Sequence, residues 1–342
     1  MIKPPVKIFT SWIVLLLLLT LLFILNLSLG SVRIPFSEIV SIVMGRGSHN
    51  EVWTNIVWDF RITKALTCIL AGSALSVGGL QMQTLFRNAL AGPDVLGLSS
   101  GASLAVSLVF MGQVTGIQFL NSPSAWSVVI ASSIGAFTIF FLIWSLSQKL
   151  RDNTSLLIVG IMIGAAASSI VSVLQFLSKA EDQQSFLLWT FGSLGGLNWT
   201  EIQILAGILI IGGGIGIISS KALNAWTLGD NYTQSLGINI KQSRFLIIFS
   251  TSILTGAVTA FCGPIAFVGL AVPHLTKLLI KTHNHRILIP AVVMMGASLL
   301  LFCDIIAQLP GSKYVLPINA ITALVGAPVV IWIILRAKRL SV

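Results

Sequence analysis

The sequence predicts an all-α membrane protein, a polytopic bundle of about ten transmembrane helices. Of its 342 residues, 55% are hydrophobic and 9% are charged, and the mean hydropathy is +0.96. A soluble domain carries roughly 25% charged residues. The apolar runs approach the ~20 residues that a helix needs to cross a bilayer, and they lack the alternation of a membrane-barrel strand. We expect residues 1–342 to form a single transmembrane domain.

Apolar runs between charged, Gly or Pro punctuation define the predicted spans. They cover 9–29, 62–84, 95–112, 126–148, 155–177, 201–220, 243–262, 266–281, 287–307 and 316–335. The first run is longer than the ~7–15-residue core of a signal peptide. We therefore interpret it as a transmembrane helix and not as a cleaved leader.

The distribution of Lys and Arg predicts the orientation. An even number of spans puts both termini on one side, and with cytoplasmic termini 14 of the 20 Lys and Arg fall inside, as the positive-inside rule requires. Segments 30–60 and 178–200 are then outer loops. Because topology explains the net charge of +10, the charge does not indicate a nucleic-acid partner.

The longest predicted inner connection, 221–243, has the composition of a partner-binding segment. A plain connector needs only a few residues, whereas this one contains two short helical pieces separated by Gly229 and Gly237. Glycine tolerates positive φ, so both positions permit sharp chain reversals. The segment is predicted to dock another protein.

Residues 262–286 contain helix-breaking and titratable side chains. Gly263-Pro264 and Pro273 are expected to break or bend helices and to free backbone carbonyls that protein or a water-lined path must satisfy. His274, His283 and His285 suggest a metal site. However, no Cys or carboxylate lies at ligand spacing beside them, so we expect no metal here.

Two other classes of function match parts of the sequence less well. Gly97-Leu98-Ser99-Ser100-Gly101 matches the nucleophile pattern of an intramembrane hydrolase, but that chemistry needs a strand-to-helix turn with His and acid partners, and here the pattern opens an apolar helix. An ion-coupled secondary transporter places ionisable residues inside its spans, and these spans hold almost none. No phosphate-binding loop is present, so the chain itself is not expected to hydrolyse ATP.

Four stretches, in order, resemble the FecCD/BtuC-type permease family of ATP-binding-cassette (ABC) importers for iron–siderophores, haem and cobalamin. The first is Arg61 to Leu104, in which Thr63, Lys64 and Ala89 depart from the family pattern of Pro, Arg and Pro. The others are Leu228 to Gly237, Cys262 to Arg286 and Leu316 to Pro328. The resemblance covers most of the chain.

The resemblance implies a type II ABC importer permease fold in the bacterial inner membrane. It also implies the partners: a second copy of this chain, two cytoplasmic ATPase subunits that use ATP and Mg, and a periplasmic or lipid-anchored substrate-binding protein. The cargo would be a large metal chelate, namely a ferric siderophore, haem or cobalamin. No cofactor is expected on this chain.

The resemblance further assigns three groups of site residues. The ATPase-coupling residues would be Leu228, Gly229, Leu236 and Gly237. The residues that dock the binding protein would be Arg61, Lys64 and Gln308, with Gln308 standing where the family has a third arginine and Lys313 as its candidate replacement. The cytoplasmic gate would be Asn88, Leu90, Thr154 and Ser155.

Overall fold

The computed structural model describes residues 5–30, 32–46, 50–112, 124–150, 153–308 and 314–338. In this part of the chain every regular element is helical. The helices are α1 (Pro5–Ser28), α2 (Phe36–Val43), α3 (Glu51–Leu85), α4 (Leu98–Phe110), α5 (Ala125–Ser147), α6 (Asn153–Leu177), α7 (Ala180–Thr190), α8 (Trp199–Ile218), α9 (Ser220–Trp226), α10 (Asp230–Ser235), α11 (Ile240–Cys262), α12 (Val268–Ile280), α13 (His285–Ala307) and α14 (Ile318–Lys338).

The helices confirm the predicted all-α membrane fold. Seven of those described, α1, α3, α5, α6, α8, α11 and α13, are long and apolar enough to cross a membrane, and α4, α12 and α14 are shorter apolar helices. Together they match the ten predicted spans. At 1.5 Å per residue, the 13-residue helices α4 and α12 are about 20 Å long. They are therefore shorter than the ~30 Å hydrocarbon core.

Helix α3 lies at the centre of the bundle. It packs against α8, α11, α12 and α13. In its most apolar stretch 83% of the residues are buried, whereas the corresponding fraction for α6 is 22%. A Cβ atom added to Gly79 would collide with the backbone of Gly269 on α12, and one added to Gly72 would collide with Gly296 on α13. Small residues permit this close approach of membrane helices. Helices α12 and α13 therefore contact α3 backbone to backbone.

A buried amide also holds α3 in place. The Nε2 atom of Gln81 donates to Oγ of Ser250 at 2.9 Å, and its Oε1 atom accepts from Thr251 at 2.7 Å. Ser250 in turn donates to the carbonyl of Gly212 on α8 at 2.8 Å. Every polar atom of this buried Gln81 side chain is thus engaged, which joins α3, α11 and α8.

The segment 30–60, which was predicted to be a polar outer loop, contains helices. It contains α2 and the first turns of α3, which begins at Glu51 and passes through a π-helical stretch, Ile56–Ile62. The side chain of Asn50 accepts from the amide of Val52 and caps this start. The apolar residue Val57 is buried in the main core, which explains why the helix extends beyond the predicted span. In segment 178–200, α7 is a short helix.

The helix break expected at Gly263-Pro264 is present. Helix α11 ends at Cys262, Gly263 has φ +76°, and α12 begins at Val268. The carbonyl of Cys262 accepts from the amide of Ser193 at 2.8 Å, and the amide of Ala266 donates to Oδ1 of Asn319 at 3.1 Å. Protein groups therefore satisfy these two backbone atoms. Pro273, in contrast, lies inside α12 without ending it.

Candidate functional sites

Arg61 is buried at the junction between α3 and the end of α1. Its guanidinium donates to the carbonyl oxygens of Leu27 at 2.6 Å, Ser28 at 3.2 Å and Val32 at 2.5 Å. The last carbonyls of a helix lack partners within the helix, and a cation is favoured at that end. Arg61 therefore caps α1.

Lys64 forms an ion pair with Asp304 of α13, with 2.9 Å between Nζ and Oδ1. The other carboxylate oxygen, Oδ2, accepts from Nδ2 of Asn26 at 2.8 Å and from Nε2 of Gln308 at 2.6 Å. This buried carboxylate thus binds one cation and two amides, and it links α1, α3 and α13.

The three residues assigned to binding-protein docking are brought together. Arg61, Lys64 and Gln308 line one cavity of about 280 Å³. Each of them also has a partner within the subunit. Lys313, the candidate replacement for the third arginine, lies outside the described residues. The docking assignment remains a prediction.

The residues assigned to the gate lie at two neighbouring chain segments. Asn88 and the exposed Leu90 follow α3, and Oδ1 of Asn88 accepts from the amide of Leu90 at 2.9 Å. Thr154 and Ser155 lie in the first turn of α6, with Thr154 exposed. The preceding Asn153 donates to the carbonyl of Leu85 at 2.6 Å. That bond ties the start of α6 to the end of α3.

Sequence reasoning missed the role of Arg244 at this end of the bundle. Its guanidinium donates to the carbonyls of Ser147 and Leu150, each at 3.2 Å, and to Oδ1 of Asn153 at 2.9 Å. It also lies 5.8 Å from the ring centre of Trp226, within the range of a cation–π contact. One buried arginine therefore connects the ends of α5, α6, α9 and α11.

The predicted coupling segment has the expected local structure. It contains the short helices α9 and α10, and Gly229 and Gly237 both have positive φ, +108° and +73°. Leu228, Tyr232 and Leu236 are 64%, 50% and 55% exposed. Residues four apart on a helix lie on one face, which applies to Tyr232 and Leu236. The segment therefore exposes apolar side chains on the surface of the subunit. We call Leu228, Tyr232 and Leu236 the exposed ridge.

A polar cavity of about 450 Å³ lies between α4 and α6. Its polar lining consists of Asp94, Ser99, Ser100, Ser103, Ser168 and Ser172. A short 3-10 helix, Pro93–Leu96, precedes α4. A Cβ atom on Gly160 of α6 would meet the backbone of Val95 and Leu96. The short helix therefore packs against α6 at a point about 10 Å from the first residue of α6. The four-residue spacing of Ser168 and Ser172 was the available sequence signal for this face.

The serine of the hydrolase hypothesis and two histidines of the metal hypothesis bond to other groups. Oγ of Ser99 donates to Asp94 at 2.5 Å, and Nε2 of His274 lies 2.8 Å from the carbonyl oxygen of Ala89. His285 lies between Asn224 and Thr84, at 2.7 and 2.9 Å. Within the described ranges, no cluster of three His, Cys, Asp or Glu side chains could hold a metal ion.

Comparison with known proteins defines the class. Residues 17–336 match the FecCD transport family. The haemin transport system permease HmuU of Yersinia pestis is 33% identical over 93% of this chain and 94% of its own. The vitamin B12 import system permease BtuC of Klebsiella pneumoniae is 32% identical over 95% of this chain and 92% of its own.

A solved structure has the same fold. It is an inward-facing conformation of a metal-chelate type ABC transporter, and it superposes with a TM-score of 0.82 at 26% identity, covering 98% of this chain and 100% of that one. The chain described here is a membrane permease of the ABC importer class. It belongs to the FecCD transport family. As a permease subunit it is not itself an enzyme, and ATP hydrolysis belongs to separate subunits.

Proposed function

We propose that two copies of this chain form the pore of an ABC importer in the bacterial inner membrane, with cytoplasmic termini. The pore carries a large metal chelate: a ferric siderophore, haem or cobalamin. Two ATPase subunits bind on the cytoplasmic side and use ATP and Mg, and a substrate-binding protein delivers the cargo on the outer side. The names of the similar permeases support haem and cobalamin as cargo classes.

The exposed ridge is the observation that carries this proposal. Leu228, Tyr232 and Leu236 are exposed apolar side chains on a segment too short and too polar to cross a membrane. Exposed apolar surface bounded by polar residues is typical of a protein interface. The ridge is therefore proposed as the surface that enters the ATPase subunit, with Gly229 and Gly237 shaping the turns on either side of α10.

The serine-lined cavity supports a polar path through the membrane. Lipid-facing surfaces avoid polar side chains, and intramembrane ionisable groups such as Asp94 normally face a cavity or the bundle interior. The second copy of the chain would enclose this face. Asn88, Leu90, Thr154 and Ser155 would narrow the inner end of the path, and Arg61, Lys64 and Gln308 would contact the binding protein at its outer end.

Reconstitution tests the proposal directly. The chain is co-expressed with its ATPase subunit, and the purified complex is placed in lipid vesicles. ATP is supplied on the side of the vesicle membrane that the ATPase subunits face. Uptake of labelled ferric hydroxamate, haem and cyanocobalamin is then measured with the binding protein present. We expect ATP-dependent uptake of one of the three. Uptake that follows a proton or sodium gradient without ATP would instead establish a secondary transporter.

A further inference from the structure

A second polar cavity, of about 230 Å³, lies where the end of α3 meets α12, the start of α13 and the coupling segment. Four of its lining residues are basic: Arg87, Lys277, His283 and His285. No carboxylate belongs to its described lining. The cavity is separate from the serine-lined cavity, and the proposed function does not use it.

Lys277 gives this cavity an uncompensated charge. It is half-buried on α12, and its ammonium group makes no hydrogen bond or ion pair with any residue that the structure describes. Removing an ammonium group from water is costly, and buried lysines are normally paired. Arg87 and His283 lie at the exposed edge of the cavity. An anion bound between them would offset the charge of Lys277.

Gln83 adds a second requirement. The residue is buried, and its Nε2 atom donates to the carbonyl of Leu270 at 3.1 Å. Its Oε1 atom is buried without a hydrogen-bond donor among the described residues. An unsatisfied buried acceptor costs about 1–3 kcal/mol. His285 cannot supply the donor, because both ring nitrogens already contact Asn224 and Thr84.

We propose that this cavity binds a phosphate group that carries a hydroxyl, either on the phosphate itself or on a glycerol attached to it. The phosphate oxygens accept from Lys277 and Arg87, and the hydroxyl donates to Oε1 of Gln83. Chloride and a carboxylate side chain fit less well, because neither supplies that donor. Two sources share this chemistry: free hydrogen phosphate and the headgroup of phosphatidylglycerol. In other membrane proteins, basic pockets between transmembrane helices bind the phosphate-bearing headgroups of cardiolipin and phosphoinositides.

The first test measures binding of free phosphate. The purified full-length chain, stripped of lipid, is dialysed to equilibrium against radiolabelled orthophosphate at constant ionic strength. Lys277→Gln should bind phosphate at least about tenfold more weakly than the parent, and Lys277→Arg should restore binding. Lys281→Gln is the matched control, since Lys281 is exposed four residues further on and does not line the cavity. Gel filtration and the binding of Lys277→Arg separate loss of charge from loss of folding.

The second test measures binding of lipid. The same variants are equilibrated with phosphatidylcholine vesicles containing phosphatidylglycerol, and retained lipid is identified by native mass spectrometry. Phosphatidylglycerol retained by the parent and lost in Lys277→Gln identifies the headgroup as the ligand, whereas orthophosphate binding alone identifies free phosphate. The proposal is overturned if neither probe binds the parent, or if Lys277→Gln and Lys281→Gln bind equally. It is also overturned if Lys277 instead cross-links to a carboxylate of the ATPase subunit while neither probe binds.

Discussion

Lys64 and Asp304 form an ion pair that joins the first half of α3 to the end of α13, with 2.9 Å between Nζ and Oδ1. Asp304 is almost completely buried, whereas Lys64 is partly exposed. The pair therefore has a structural role, because it compensates a buried carboxylate at the same place where the family resemblance puts a docking surface.

Lys64→Gln should destabilise the protein by about 3 kcal/mol, because it leaves a buried carboxylate without its cation. The double variant Lys64→Gln/Asp304→Asn should recover most of that loss, since neither charge then remains buried. Thermal melting of detergent-purified protein measures both. Equal melting of the parent and Lys64→Gln would show that Asn26 and Gln308 alone satisfy Asp304.

Docking can be separated from this structural role. If Lys64 also contacts the binding protein, the double variant should remain folded and yet bind that protein more weakly than the parent. Arg33→Gln is a control, because Arg33 is exposed between α1 and α2 and is not assigned to docking. An unchanged affinity of the double variant would restrict Lys64 to its structural role.

Cysteine at Asn88 tests the proposed gate. In the assembled transporter, the two Asn88→Cys copies should cross-link in one nucleotide state and separate in another. The substitution also removes the acceptor for the Leu90 amide, at a cost of about 1 kcal/mol. Asn88→Asp keeps that acceptor and serves as the folding control. Identical cross-linking yields with and without ATP would contradict a moving gate.

Gly237→Asp should uncouple ATP hydrolysis from uptake, or release the ATPase from the membrane. Gly237 has φ +73° with open space around the position of a Cβ atom, so the change costs about 1 kcal/mol of backbone strain and adds a charge beside the exposed ridge. Gly45→Asp is a close control, since Gly45 has the same φ and equally open surroundings. The measurements are ATPase activity and uptake in vesicles. Parent-like values for Gly237→Asp would exclude this segment from coupling.

Arg244→Lys should lower stability by about 2 kcal/mol although the charge is kept. A lysine cannot reproduce the planar fork that reaches Ser147, Leu150 and Asn153 together. Lys241→Gln, an exposed change one turn earlier on α11, should have little effect. Melting temperatures of the two variants decide the point, and a parent-like value for Arg244→Lys would make the fork dispensable.

Local sequence signals predicted the parts of the structure that depend on local chemistry. Hydrophobic run length located the ten apolar helices, and the conformational freedom of glycine predicted the turns at Gly229 and Gly237. The early start of α3 was missed although Asn50, a capping residue, was visible, because the polar composition of segment 30–60 suggested a loop. A π-helical stretch has no comparable sequence signature.

Contacts between distant residues could not be predicted in this way. Arg244 and Ser147 are 97 residues apart and Lys64 and Asp304 are 240 apart, so only the packing of the helices shows that they pair. The same holds for Asp94. It lines one cavity with the serines of α6 only because the segment between α3 and α4 packs against α6.

The glycine contacts of α3 have a mechanical consequence. Since Gly72 and Gly79 bring the backbones of α13 and α12 against α3, any sliding or parting of these helices opens a gap that no neighbouring side chain is positioned to fill. We expect α3, α12 and α13 to move as one rigid body, here called the strut, when the transporter changes between its conformational states. The less buried α6 is expected to move relative to this strut. Spin-label distances within the strut should stay constant across nucleotide states, while distances from the strut to α6 change.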